Sequence, residues 1–112
     1  MAAMTTVLTL FSEEKNKRTS TYSGHVVSNP KLVIESRRVP DGSQTIMESN
    51  VKVVSGIEDS DGTVLSSKVS FEVTVRYPIN GTASDVTDAL AIFRDIVAGD
   101  EFASSVATQN WL

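Results

Sequence analysis

The sequence contains no cysteine and a single histidine, His25. A disulfide framework, a thiolate nucleophile and a cysteine-ligated zinc are thereby excluded, and one imidazole cannot build a histidine-rich metal site. Aromatic residues are scarce at 6%, and no apolar run approaches the roughly 20 residues that a membrane-crossing helix requires. The apolar patch Val7–Phe11 lacks a basic leader and a cleavage site, so neither export nor a membrane partner is expected. The glycines at 24, 42, 56, 62, 81 and 99 form no phosphate-cradling cluster. No nucleophile elbow accompanies the lone imidazole, which leaves a Ser-His-Asp arrangement without support. The expectation is a protein that is not an enzyme, with no catalytic residues, no cofactor and no resident metal.

What is present is alternation. The 112 residues suit one compact domain, 1–112. In Val64–Tyr77, Leu65, Val69, Phe71, Val73, Val75 and Tyr77 share one parity and Ser66, Lys68, Ser70, Glu72, Thr74 and Arg76 the other, as in a long half-buried strand. Thr45–Ser55 behaves similarly, with Met47, Val51 and Val53 opposed to Glu48, Asn50 and Lys52. The acidic segment Gly56–Thr63 is expected to join the two runs as an exposed loop. Upstream, Thr5–Phe11 and Arg18–Tyr22 predict an N-terminal hairpin, its second strand extendable to Val27. Asn29-Pro30 punctuates the chain before a run over Leu32–Val39, and Pro40-Asp41-Gly42 forms the next turn.

At Pro78 the period changes. Thr82 or Ser84 can cap a helix whose first turn carries Asp85 and Asp88, where the helix dipole favours negative charge. Val86, Leu90, Phe93 and Val97 recur at helical spacing, widened by Ala89, Ile92 and Ile96. Gly99 suits a C-terminal stop, and Asp100 can cap a second short helix, so the helices cover about 83–108. Strands about 5–77 followed by helices imply an α+β fold with helices on one face of an antiparallel sheet. The first helix is apolar over more of its circumference than one sheet requires, which predicts that Leu90, Phe93 and Val97 meet a second copy in a homodimer interface.

The net charge of −4 is unevenly spread. Residues 15–55 carry seven basic and three acidic side chains, whereas 78–112 is strongly acidic. The basic charge therefore lies in the sheet. Lys52, Lys68 and Arg76 share the polar parity with Asn50, Ser70 and Thr74, and Arg37 is a peripheral candidate. Lys and Arg can hold phosphates while Asn, Ser and Thr supply hydrogen bonds, a combination suited to folded RNA. A merely solvated sheet face has the same composition, and Glu48 and Glu72 on it oppose an anion.

Several segments, taken with the order of elements, resemble the coat proteins of single-stranded RNA bacteriophages, the levivirus-like group. They are Thr5-Thr-Val-Leu-Thr-Leu-Phe11 with Glu13-Glu14, Arg18-Thr-Ser-Thr-Tyr-Ser-Gly-His25, the alternating strand pair, Ala91-Ile-Phe-Arg-Asp-Ile-Val97 and the closing Gln109-Asn-Trp-Leu112. The resemblance implies an N-terminal β-hairpin and antiparallel sheet followed by two C-terminal helices in an interlocked homodimer. It also implies icosahedral shells around single-stranded viral RNA, assembled in a bacterial host cytoplasm. The inner sheet face would bind an RNA stem-loop and repress translation. The sequence shows fewer strand runs than that pattern contains, and its 56–63 loop is short and acidic for a symmetry axis.

Other readings remain open. A cellular dimeric RNA-binding regulator could use the same face without forming shells, and a small carboxylate enzyme could centre on Glu48 or Glu72. Glu58, Asp59 and Asp61 before Gly62 resemble part of a calcium loop, but Lys68 stands where a closing acid is needed. His25 reads as a partly exposed strand histidine or a phosphate contact. Asn80-Gly81-Thr82 matches a glycosylation acceptor and reads better as a turn.

Overall fold

A computed structural model describes residues 3–42 and 45–112. The chain divides into two compact units, one ending at Arg76 and the other running Tyr77–Leu112. The first is a five-stranded antiparallel meander of β1 (Thr9–Glu14), β2 (Lys17–Thr21), β3 (Lys31–Arg38), β4 (Ile46–Glu58) and β5 (Val64–Pro78), laid side by side in chain order. The second holds α1 (Ala83–Ala98) and α2 (Asp100–Thr108).

The N-terminal hairpin is displaced from its expected position. β1 begins at Thr9 and runs to Glu14, because Glu13 pairs with Arg18 and Glu14 with Lys17 across the strands. The Arg18 Nη2–Glu13 Oε1 contact is 2.8 Å. That hydrogen bond, and then the charge of Glu13, raise the Arg18 guanidinium above its ordinary pKa. A bulge lies between Leu10 and Ser12. β2 stops at Thr21 and does not continue to Val27. Gly24 at φ +93° turns the backbone away, and His25 N–H closes that turn on the Tyr22 carbonyl at 3.2 Å. Only glycine adopts such a φ at low cost.

The start of β3 and the residue before it are tied to β4. The Lys31 ammonium donates to Ser55 Oγ at 2.9 Å and to the Gly56 carbonyl at 2.8 Å. Gly56 N–H donates to the Pro30 carbonyl at 2.8 Å. Gly56 therefore belongs to β4 and is buried, not part of an exposed loop. A side chain there would run into the Asn29 carboxamide and Pro30.

Beyond β4 the connection is tighter than the sequence implied. Asp59 N–H donates to the Thr63 carbonyl at 2.9 Å, and Asp59 Oδ1 accepts from the amides of Asp61 and Thr63 at 2.9 and 3.0 Å. Gly62 at φ +82° completes the turn. An aspartate that bonds its own following amides is a turn device, which gives the Asp59 carboxylate a structural task. Among the described residues no group of acidic or imidazole side chains could hold a metal ion.

In the helical unit Thr82 is the N-cap and Asp85 supplies the acid in the first turn. Gly99 ends α1 where the sequence pattern places the stop, in an extended conformation, φ −79° and ψ 155°, with its N–H donating to the Ile96 carbonyl at 3.2 Å. Gly99 also serves as the N-cap of α2, a position that the sequence pattern assigns to Asp100. The left-handed residue comes later, at Gln109 (φ 59°), which closes α2.

Among the described residues neither unit buries an apolar side chain. On α1, Leu90, Phe93 and Val97 remain 44, 45 and 41% exposed, and Ile92 and Ile96 are exposed as well. In the sheet unit, Val51, Phe71 and Val75 are exposed too.

Candidate nucleic-acid interface

Cross-strand register assigns each strand residue to a face, because direct partners in an antiparallel pair project to the same side. β3 and β4 pair Ile34 with Lys52, Ser36 with Asn50 and Arg38 with Glu48. β2 extends the same face through Lys17, opposite Ser36, and Thr19, opposite Ile34. On the other side, β5 joins it through Thr74, whose Oγ1 accepts from Asn50 Nδ2 at 2.7 Å. Arg76 joins it through Glu48 Oε1, 3.2 Å from its Nη2. Strand alternation gives Lys68 and Ser70 the parity of Thr74.

Six of the seven residues singled out for RNA contact thus share one face: Asn50, Lys52, Lys68, Ser70, Thr74 and Arg76. Arg37 does not. It pairs with Ser49 and lies on the opposite face with Val33, Glu35, Val51 and Val53, while the adjacent Arg38 takes the polar side. The physical reason is that Leu32-Val33-Ile34 is apolar on both parities, so the sequence of β3 carries no alternation from which to choose between the two arginines.

Sequence reading missed Arg38, Lys17 and the pairing of Glu48. Glu48 sits on the middle of three strands and touches an arginine on each side, since its Oε2 also lies 3.7 Å from Arg38 Nη2. The carboxylate side chain is 27% exposed, against 52% for Arg38 and 64% for Arg76. The anion therefore lies beneath two outward guanidinium groups. Its one available signal was the position of Glu48 at the start of β4, opposite the end of β3 where two arginines stand. A carboxylate engaged in this way is also poorly placed to act as the base of an enzyme.

The face is divided along its length. Leu32 and Val54, direct partners, and Ile34 make one end apolar and half-buried, while Ser36, Arg38, Glu48, Asn50, Thr74 and Arg76 make the other polar. Lys52 stands at the boundary. Lys68 Nζ reaches back toward the Ser66 carbonyl at 3.5 Å and stays exposed. Cationic heads on short hydrogen-bonding neighbours, spread over a pleated surface, can position phosphates and leave base edges to Asn, Ser and Thr.

His25 has a structural task instead. Its Nδ1 accepts from Lys31 N–H at 3.0 Å, and its ring meets Phe11 edge-on with centroids 6.2 Å apart. No helix among the described residues is long and apolar enough to cross a membrane.

No family model matches the sequence, and no curated protein matches it. Solved structures do. The virus-like particle of Wenzhou levi-like virus 4 aligns with a TM-score of 0.80 at 11% identity, over 93% of this chain and 75% of that one. The virus-like particle of bacteriophage AC aligns at 0.72 and 13%, over 95% of this chain and 97% of that one. The bacteriophage EMS014 coat protein aligns at 0.63 and 16%, over 88% and 76%. Two of these neighbours are virus-like particles and the third is a coat protein. Identities this low establish the shared architecture, a five-stranded antiparallel sheet followed by two C-terminal helices, and this chain has the fold of the levi-like and RNA-bacteriophage coat proteins.

Proposed function

We propose that this chain is a capsid protein: it dimerises, and the dimers build an icosahedral shell around single-stranded viral RNA in the virion. The observation that carries this reading is the absence, among the described residues, of a buried apolar side chain in either unit of a chain with the coat-protein fold. Leu90, Phe93 and Val97 are the contacts offered by α1. The outer edge of β5, a 15-residue strand at the end of the sheet, offers main-chain groups to the same edge of a second copy, which would continue one sheet across the dimer. Shell contacts beyond the dimer need only be weak, because symmetry multiplies them.

RNA lies, in this reading, on the face of Asn50, Lys52, Lys68, Ser70, Thr74 and Arg76, with Arg38 and Lys17 added and Arg37 left out. A stem-loop bound there can both mark the genome for packaging and repress translation. The test is to express the full chain in a bacterial cytoplasm and image the product by electron microscopy, with nuclease-protected RNA measured in the same fractions. Closed particles carrying protected RNA are expected. A soluble monomer across salt and concentration overturns the reading, and a discrete dimer that binds RNA and never forms particles favours a cellular regulator.

A further inference from the structure

Among the described residues, Glu48 is the acid that bridges two cations on the proposed RNA face, and the sign of its charge is wrong for a phosphate contact. We propose that Glu48 is a built-in competitor for nucleic-acid phosphate. It neutralises part of the charge of Arg38 and Arg76, so a polyanion can use this end of the face only by displacing the carboxylate. The proposal rests on the RNA-binding reading and deepens it by adding a selectivity device to the same site.

The geometry supports competition in three ways. Each carboxylate oxygen takes a different guanidinium, Oε1 with Arg76 at 3.2 Å and Oε2 with Arg38 at 3.7 Å. Neither contact is a two-pronged fork of the kind that makes Arg–carboxylate pairs strong, so an incoming phosphate can replace both. The arginines are the more exposed partners, and each guanidinium has five N–H donors of which one Nη2 is directed at Glu48. A phosphate therefore meets them first from solvent, with the carboxylate beneath.

The three groups also come from three adjacent strands, β3, β4 and β5, which fixes their spacing. With Glu48 in place the cluster presents one net positive charge instead of two. A ligand that touches only this end gains little there. A folded RNA that also contacts Lys52 and Lys68, away from this end, gains enough elsewhere to open the pairs. An unfavourable element of this kind lowers affinity for wrong partners more than for the right one.

The test uses the full chain, wild type against Glu48→Gln, Arg76→Gln and the double variant, with Lys52→Ala as a control for the RNA face. The probe is a fluorescently labelled RNA stem-loop of about 20 nucleotides followed by anisotropy over a range of salt. Two modest ion pairs released together predict that Glu48→Gln binds about three- to tenfold tighter near 0.1 M salt. Its log–log salt slope should steepen by about one, because the freed cations engage more phosphate. Arg76→Gln should cost more affinity when combined with Glu48→Gln than it does in wild type.

If wild type binds, Lys52→Ala weakens it and Glu48→Gln binds equally or more weakly, the RNA face stands and the competitor role is wrong. If wild type and Glu48→Gln both fail to bind at low salt, both readings fall. Should Glu48→Gln fail to fold by circular dichroism, Arg38→Gln and Arg76→Gln in the wild-type background decide. Each is expected to cost less than about twofold, because its charge is already partly neutralised, and a loss as large as that of Lys52→Ala refutes the proposal.

Discussion

Truncating Phe93 to alanine removes the largest half-exposed side chain on α1. Phe93 is 45% exposed. Of the roughly 200 Å² that a phenylalanine can bury, about 90 Å² is therefore available to a partner. At about 25 cal/mol per Å² the loss is about 2 kcal/mol per chain, and about 4 kcal/mol for a two-fold dimer in which the residue appears twice. The alanine methyl retains a little of this, so the dimer dissociation constant should rise by about 10²- to 10³-fold.

Sedimentation velocity over a dilution series measures that constant directly. Urea unfolding supplies a second reading, because the stability of an obligate dimer depends on protein concentration. A hundredfold increase should stabilise the wild-type protein by about 2.7 kcal/mol. At a typical slope of about 2 kcal/mol per M, the urea midpoint should move by about 1 M. Asp88→Ser, which alters an exposed polar position of the same helix, should leave the constant within about twofold of wild type. A Phe93→Ala protein that dimerises as well as wild type, together with a wild-type midpoint that does not move with concentration, would refute the reasoning that α1 is completed by a second copy.

Two further predictions follow from the faces of the sheet. Lys52→Ala should weaken RNA binding and reduce the log–log salt slope by about one, because one phosphate contact is lost. Arg37→Ala should leave that slope unchanged, since Arg37 pairs with Ser49 on the other face; equal slope losses in the two variants would contradict the face assignment. A third prediction concerns the tie between the segment before β3 and β4. Gly56→Ala places a methyl against the Asn29 carboxamide and Pro30, and the overpacking should cost about 1–3 kcal/mol, read as a lowered thermal midpoint. An unchanged midpoint would mean that this junction yields without strain.

The strong local periodicities were legible in the sequence. Alternation over Val64–Tyr77 announced β5, the change of period after Pro78 announced α1, and the polar parity of Asn50, Lys52, Thr74 and Arg76 stands on one face as their spacing requires. These features depend on neighbours within one strand or one helical turn, which a sequence displays directly.

Features set by distant parts of the chain were not legible. Where β1 begins depended on Glu13 and Glu14 finding Arg18 and Lys17 across the turn. The end of β2 depended on the positive φ of Gly24, and the membership of Gly56 in β4 on its bond to Pro30. The choice between Arg37 and Arg38 is the sharpest case. A run such as Leu32-Val33-Ile34 is apolar on both parities, so only its register against Val54, Val53 and Lys52 assigns the faces. The three-strand grouping of Arg38, Glu48 and Arg76 arises in the same way. Composition supplied the charges, whereas strand pairing brought together residues far apart in the chain, because period-2 patterning is local and register is a property of the assembled sheet.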